Sequence, residues 1–187
     1  CSKINQKHLK LIYRTHLKIM KRTVLLLFAI VMLPLAINAQ GLVYAYIVDN
    51  NGPATNIRNA PKGKVVATLP TDKAFAVTLI SAKGDWWKIG DVVDQYGDDE
   101  MEIVLRGSKT GYWIHRSLLQ FSIAGNPNGA LRATPSSKGK AVKIIDEPYF
   151  HPVEVKGNWV KAVSTDGKTT GWIHRDRICS NPLTTCP

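Results

Sequence analysis

Hydrophobic and polar residues alternate in short runs through most of the chain after residue 40. In 153–156, two valines alternate with a glutamate and a lysine, and 76–81 has the same period of two. This period is that of a β-strand with one buried face. Turn sequences punctuate the runs about every ten residues, as in a small sandwich or barrel. They are Gly52-Pro53, Pro61-Lys62-Gly63, Lys83-Gly84-Asp85, Asn126-Pro127-Asn128-Gly129 and Asp166-Gly167. No window after Gln40 carries a helical stripe, so the pattern predicts an all-β fold.

One sequence pattern occurs twice in this region. Each copy contains, in the same order, an apolar-Arg-x-x-Pro segment, a Gly-x-Trp segment and a Gly-(x)-Trp-Ile-His-Arg segment. Copy one has them at Ile57-Arg58-Asn59-Ala60-Pro61, Gly84-Asp85-Trp86 and Gly111-Tyr112-Trp113-Ile114-His115-Arg116. Copy two has them at Leu131-Arg132-Ala133-Thr134-Pro135, Gly157-Asn158-Trp159 and Gly171-Trp172-Ile173-His174-Arg175. Two copies are too few for a solenoid and favour two small self-contained units.

Copy one carries an acidic insertion, at about 92–107, between its last two segments. The acids from Asp94 to Glu102 do not have the spacing of a calcium-binding loop. We expect the stretch from Asp94 to Glu102 to be a solvated hairpin tip, since charged loops usually lie on the surface.

With Leu69-Pro70 in copy one and the lysines Lys88 and Lys161 two residues after Trp86 and Trp159, these segments resemble the bacterial SH3-like domain. The resemblance covers about 42–178. It implies two tandem small SH3-like β-barrels, one over 40–122 with the insertion and one over 123–187. Copy two departs from the family at 144–148, where a Leu-Pro turn is typical. Such domains are targeting modules without chemistry of their own, and they bind peptidoglycan peptides or other proteins.

The segment 20–39 has the order of a secretory signal peptide. Met20-Lys21-Arg22 is positive, Val24 to Leu35 is apolar, and Ala39 offers a small residue for cleavage. The apolar run is shorter than the ~20 residues that span a bilayer, so we expect cleavage, export to the periplasm or medium, and no stable membrane span. An uncleaved anchor is the alternative. Residues 1–19 are interpreted as an over-extended gene start, with an amphipathic presequence as the competing interpretation.

The net charge of +11 is unevenly distributed. Seven of the 25 basic residues precede Gln40, and the 18 that follow exceed the 14 acids by only four. No basic helix or Lys/Arg cluster follows Gln40, so the electrostatic footprint of nucleic-acid binding is missing. Nucleic acid is therefore not an expected partner.

Two of the three cysteines, Cys179 and Cys186, lie close together near the C-terminal end. In an exported chain such a pair indicates a disulfide. Free thiols or a metal site are the alternatives, but no histidine has zinc-ligand spacing to these cysteines. We expect no metal and no cofactor.

The tryptophans suggest which positions are buried. Two tryptophan positions recur in both copies, as Trp86 and Trp159 and as Trp113 and Trp172. These four are predicted to be core residues because aromatic side chains bury a large area. Trp87 is replaced by Val160 in copy two, and strand alternation places it opposite Trp86. We therefore predict that Trp87 faces outward and contacts a ligand.

Further candidate ligand-binding residues are aromatic side chains in or beside turns, namely Tyr96, Tyr112, Tyr149 and Phe150. Local hydrophobic cover is the alternative role for these four. Arg58 and Arg132 could clamp a carboxylate, although a bond to a local backbone carbonyl is the commoner use of such a side chain.

Catalysis is not expected, because neither His115 nor His174 has a nucleophile and an orienting acid that recur with it in both copies. The sequence thus predicts an exported, non-catalytic binding module that recognises cell-wall peptide or glycan, with peptidoglycan as its partner. A periplasmic protein–protein adaptor or assembly subunit, with an envelope protein as its partner, is the alternative.

Overall fold

Antiparallel β-strands make up nearly all the regular structure in a computed structural model of the chain, which describes residues 42–95, 102–107, 111–144, 149–181, 183 and 186. The strands are β1 (Val43–Ile47), β2 (Ala54–Arg58), β3 (Val65–Pro70), β4 (Phe75–Lys83), β5 (Trp86–Asp94), β6 (Glu102–Leu105), β7 (Tyr112–His115), β8 (Leu119–Ile123), β9 (Leu131–Arg132), β10 (Tyr149–Lys156), β11 (Trp159–Ser164), β12 (Thr170–His174) and β13 (Ile178–Cys179). Short 3₁₀ turns at Arg116–Leu118 and Arg175–Arg177 follow β7 and β12. The predicted all-β class is confirmed.

The described strands form one antiparallel sheet in the order β3-β2-β7-β5-β4-β1-β8-β10-β11-β12-β9, with β6 on β5 and β13 on β8. This path does not close on itself. No described residue belongs to a helix long and apolar enough to cross a membrane. The predicted signal peptide at 20–39 and the segment 1–19 lie outside the described residues.

The sequence repeat is also a structural repeat. In copy one, Trp86 pairs with His115 and Lys88 pairs with Trp113 between β5 and β7. The same pairs recur between β11 and β12 of copy two, where Trp159 pairs with His174 and Lys161 with Trp172. Equivalent segments therefore adopt the same register, and the three segments of each copy come together on adjacent strands.

Two glycines make the tight hairpins that set this register. Gly84 joins β4 to β5 and Gly157 joins β10 to β11, each with a φ of 59°. Each glycine is the first of two turn residues, since Lys83 pairs with Trp86 and Lys156 with Trp159. A glycine at this position of a two-residue hairpin supplies the positive φ that other residues adopt only at a cost.

Strand β8 belongs to both copies. Its Leu119 pairs with Ile47 on β1 of copy one, and its Phe121 pairs with Phe150 on β10 of copy two. The boundary between residues 122 and 123 therefore falls inside a strand that both copies use. Residues Gln40–Pro187 form one compact unit, in which a single apolar cluster takes fully buried side chains from both copies.

The start of the acidic insertion is part of this core, which corrects the prediction that the solvated tip begins at Asp94. Val92 is fully buried and pairs with Val77 on β4. Asp94 is also buried, and its Oδ2 accepts a hydrogen bond of 2.9 Å from Lys73 Nζ, which raises the pKa of that lysine. Residues 92–94 are buried because β5 extends past the repeat and lies between β4 and β6, whereas Glu102 and most of β6 are exposed. Residues 96–101, which include the other predicted tip acids up to Glu100, lie outside the described residues.

The predicted disulfide between Cys179 and Cys186 is confirmed. The two Cα atoms are 5.7 Å apart, and Cys179 is fully buried at the end of β13. Disulfides persist in oxidising compartments, so this bond is in keeping with export.

Candidate binding face

The orientation of the tryptophan pair on β5 is the reverse of the prediction. Trp87 is fully buried in the core, whereas Trp86 is partly exposed on the opposite side of the sheet. Trp87 shares its side of the strand with Ile89, which is also fully buried. A side chain without solvent contact cannot serve as an exposed ligand contact, so Trp87 is a core residue. The prediction that Trp113, Trp159 and Trp172 are core residues is likewise wrong, since all three are only partly buried.

The lysine of each Trp-x-Lys segment was the signal that would have given the correct face. Residues two apart on a strand point to the same side. Lys88 therefore lies on the face of Trp86, and Lys161 lies on the face of Trp159. Lysine is almost never fully buried without a partner, so the repeated tryptophans had to be on the outer face with it.

The repeated side chains meet on this outer face in two equivalent groups. The first cluster consists of Arg58, Trp86, Lys88, Trp113 and His115, and the second cluster consists of Arg132, Trp159, Lys161, Trp172 and His174. In each cluster, the lysine, one tryptophan and the arginine lie in one row across three neighbouring strands. The rows are Lys88, Trp113 and Arg58 in the first cluster, and Lys161, Trp172 and Arg132 in the second. All ten side chains are partly buried.

Aromatic contacts hold the two clusters in the same shape. The Trp86 and His115 rings meet edge to face with centroids 5.2 Å apart, and the Trp159 and His174 rings do so at 5.1 Å. In the first cluster the guanidinium carbon of Arg58 also lies 5.9 Å from the centre of the Trp86 ring. A cation at this distance is attracted to the negative face of the indole.

Each arginine is anchored by a turn carbonyl of its own copy. Arg58 Nη1 donates a hydrogen bond of 2.7 Å to the carbonyl O of Gly63, and Arg132 Nη1 donates one of 3.5 Å to that of Gly139. The expectation of a local carbonyl partner is therefore confirmed. A guanidinium has five N–H donors, so each arginine retains donors for a second partner such as a carboxylate.

The histidines contact residues of the 3₁₀ turns that they precede. His115 Nδ1 lies 2.8 Å from Ser117 Oγ and accepts a hydrogen bond from the Ser117 backbone N–H, which caps the first turn. In copy two, His174 Nδ1 lies 3.3 Å from Asp176 Oδ2. A serine beside a histidine also occurs in hydrolases, but copy two has aspartate at the position of Ser117, so the pair does not recur.

The remaining candidates differ in exposure. Phe150 is fully buried and stacks on Phe121, so its predicted place in an exposed groove is wrong; the ring lies where β8 and β10 pair inside the core. Tyr149 is 46% exposed. Burial, and after it the charge interaction with Tyr149, raises the pKa of Tyr46. Tyr112 is partly buried against the core. Tyr96 lies outside the described residues.

The residues opposite the two cluster lysines differ. Lys161 lies directly opposite Glu154 on β10, whereas its counterpart Lys88 lies opposite Ser81 on β4. Asp85, the acid nearest to the first cluster in sequence, pairs at 2.8 Å with Arg116.

Among the described residues, no three His, Cys, Asp or Glu side chains come together as a metal site.

The fold and its disulfide define an all-β protein with an internal repeat. Its sequence matches no known protein family, and it matches no curated protein. Among solved structures the chain is similar to NlpC1 from Trichomonas vaginalis, with 11% sequence identity and a TM-score of 0.29. The match covers 74% of this chain and 46% of that one, so the chain spans less than half the length of NlpC1. A likeness this small carries no argument about fold or activity.

Proposed function

We propose that the protein is an exported, non-catalytic binding module of the bacterial cell envelope, built from two tandem SH3-like repeats that recognise cell-wall peptide or glycan. The observation that carries the proposal is the repetition of the Arg, Trp, Lys, Trp and His cluster at one register on the outer face of both copies. Residues that serve packing alone are expected in the core. The cluster residues lie on the opposite side of the sheet from the core.

The chemistry of the clusters supports a polymer that is both amphipathic and acidic. Partly exposed indole rings offer flat surfaces for sugar rings and aliphatic peptide segments, and aromatic residues dominate binding energy at many interfaces. Arginine and lysine on the same face offer charge-assisted hydrogen bonds to carboxylates. Peptidoglycan combines these features, because it joins amino sugars to short peptides with free carboxylates.

An adaptor that binds another envelope protein is the second candidate, and one observation favours it. Val65 and Val66 on β3 are 44% and 49% exposed. Among the described strands, β3 ends the sheet path and pairs only with β2. An exposed, apolar edge strand is a place where a strand from a partner can add to a sheet.

Sedimentation with purified peptidoglycan tests the proposal. We expect the wild-type protein to pellet with the polymer, and the double variant Trp86→Ala/Trp159→Ala to bind at least about tenfold more weakly, as loss of aromatic hot spots does. Val66→Lys is the matched control on the edge strand and should pellet like the wild type. If the wild type does not pellet, and capture of an envelope protein is lost in Val66→Lys, the adaptor function replaces the one proposed.

A further inference from the structure

Strand β6 lies at an edge of the described sheet, and its sequence is complementary to itself when two copies run in opposite directions. We propose that β6 pairs with β6 of a second copy of this chain, antiparallel about a two-fold axis at Val104, and so joins two molecules into a symmetric dimer. The inference goes beyond the proposed function and does not rest on it, because no residue of either tryptophan cluster belongs to β6.

One edge of β6 has no partner among the described strands, since β6 pairs with β5 alone of these. An edge strand presents unpaired backbone N–H and C=O groups to which another strand can add. Ile103 and Val104 are 37% and 40% exposed there, and β-branched residues favour strand pairing. The edge therefore has both the backbone groups and the side chains that a further strand requires.

Val104 is the residue of β6 that β5 leaves unpaired. Ile103 pairs with Val93 and Leu105 pairs with Val92, so Val104 is an extra residue between two successive pairs. An extra residue bends its strand, and such a bulge can protect an edge from pairing. The charges on either side of Val104 favour pairing instead.

The residues around Val104 match a second copy of themselves. An antiparallel pair centred on Val104 places Glu102 opposite the partner's Arg106, and Ile103 opposite the partner's Leu105. The two-fold axis repeats both contacts, so the dimer has two pairs of opposite charge and two apolar pairs around the central valines. Directly opposed side chains of these kinds each stabilise an antiparallel strand pair.

Both charged residues are accessible for these contacts. Glu102 and Arg106 are exposed, and in the described part of the chain neither forms an ion pair. The charge of Lys73 interacts with that of Glu102, but the Lys73 ammonium group bonds to Asp94 at 2.9 Å. A second copy supplies both Glu102 and Arg106 with an ion-pair partner.

The other edges of the described sheet lack this complementarity. Strand β3 is preceded by Lys62 and Lys64, and 62–70 contains no acid. Strands β9 and β13 are each two residues long. Of the described edge strands, β6 is therefore the one whose apolar segment lies between an acid and a base.

The interface is small, because it joins one short strand from each molecule. Stable complexes bury about 1,200–2,000 Å² in total, which is more than one pair of short strands supplies. We therefore expect reversible association with a dissociation constant of about 0.1 mM.

Sedimentation equilibrium of the chain between about 10 µM and about 1 mM tests the pairing. The wild type should dimerise, and Glu102→Arg and Arg106→Glu should each raise the dissociation constant at least about tenfold, because like charges then face each other at both ends. An equimolar mixture of the two variants should form a heterodimer with nearly wild-type affinity. In that mixture the new arginine of one variant lies opposite the new glutamate of the other.

Two valine variants locate the axis. Val104→Lys places two positive charges directly opposite each other and should abolish the dimer. Val66→Lys is the matched control, since Val66 is similarly exposed on another edge strand, and it should dimerise like the wild type. Thermal unfolding of each variant checks that the fold is intact.

Three results would overturn the inference. A wild-type chain that stays monomeric at about 1 mM would show that the bulge and the charges protect the edge. A dimer that survives Val104→Lys or both charge reversals would lie at another surface. A mixture of the two reversed variants that stays monomeric would contradict the register about Val104. Each of these results leaves binding to peptidoglycan to its own sedimentation test.

Discussion

The indole Nε1–H of Trp87 donates a hydrogen bond of 2.9 Å to the backbone carbonyl O of Pro152. Trp87 belongs to copy one and Pro152 to β10 of copy two, and both are buried. The bond therefore joins the two copies inside the core. With the shared strand β8, it makes the two halves of the repeat depend on each other for stability.

Substitution of Trp87 should destabilise the whole unit. Trp87→Ala is expected to cost about 3–5 kcal/mol of unfolding free energy, because a large buried side chain is lost and a cavity remains. Trp87→Phe should cost about 1–3 kcal/mol, since the carbonyl of Pro152 loses its donor in a buried place. Trp86→Ala, on the exposed face of the same strand, is the matched control and should cost clearly less than Trp87→Ala.

Urea denaturation measures all three variants, and a single transition for both copies is expected in each. A larger loss for Trp86→Ala than for Trp87→Ala would mean that the face assignment of β5 is wrong. Two separate transitions in the wild type would show that the copies fold independently.

The acidic insertion can be shortened only at its tip. Asp94 pairs with Glu102, so replacing 96–101 with Asn-Gly leaves a three-residue hairpin loop, a common length. This variant should keep the cooperative transition at nearly wild-type stability, because shorter loops cost little. Deleting 92–107 instead removes fully buried Val92 and should abolish that transition. Equal stability of the two deletions would contradict the place of Val92 in the core.

The disulfide should stabilise the C-terminal segment. Cys179 and Cys186 are expected to resist alkylation until reduced. The double variant Cys179→Ala/Cys186→Ala should lose about 2–3 kcal/mol, the chain-entropy value for a short loop. Mass spectrometry after alkylation with and without reductant checks the first point, and urea denaturation checks the second. Labelling of both residues without reductant would rule the bond out.

Asp166 should make stability fall at acid pH. A hydrogen bond from the Ser164 hydroxyl, then one from the Lys168 backbone N–H, lowers the pKa of Asp166 from 3.8 to about 2. Because the pKa is lower in the folded state, this stabilisation is complete above about pH 4 and is lost as the pH falls toward 2. The difference in urea midpoint between the wild type and Asp166→Asn should shrink over that range. A constant difference from pH 5 to pH 2 would contradict this role.

Local sequence signals predicted the features that depend on neighbouring residues. The period-two runs predicted the all-β class, the turn sequence Lys83-Gly84-Asp85 predicted the break between β4 and β5, and the paired cysteines predicted the disulfide. The repeat also predicted which segments are equivalent. Each of these properties is decided within a few residues, where turn geometry and side-chain alternation dominate.

Features that depend on distant pairing were missed. The sequence of 119–123 does not indicate that β8 pairs with strands of both copies, because alternation predicts a strand but not which strands pair with it. The face of Trp86 and Trp87 was misjudged for another reason. Recurrence of Trp86 suggests burial, but the lysine two residues later places it on the outer face. Recurrence alone does not distinguish a surface cluster from a core. Polar residues an even number of positions away on the same strand share the face and make the distinction.

The central claim, that the repeated outer-face clusters bind cell-wall peptide or glycan, is tested most directly by the indole N–H signals of the five tryptophans in a ¹H–¹⁵N NMR titration with soluble peptidoglycan fragments. The account predicts that the signals of the four cluster tryptophans shift along saturable curves, while that of Trp87, buried and bonded to Pro152, stays in place. No shift at any cluster tryptophan, or a shift of Trp87 alone, would contradict it.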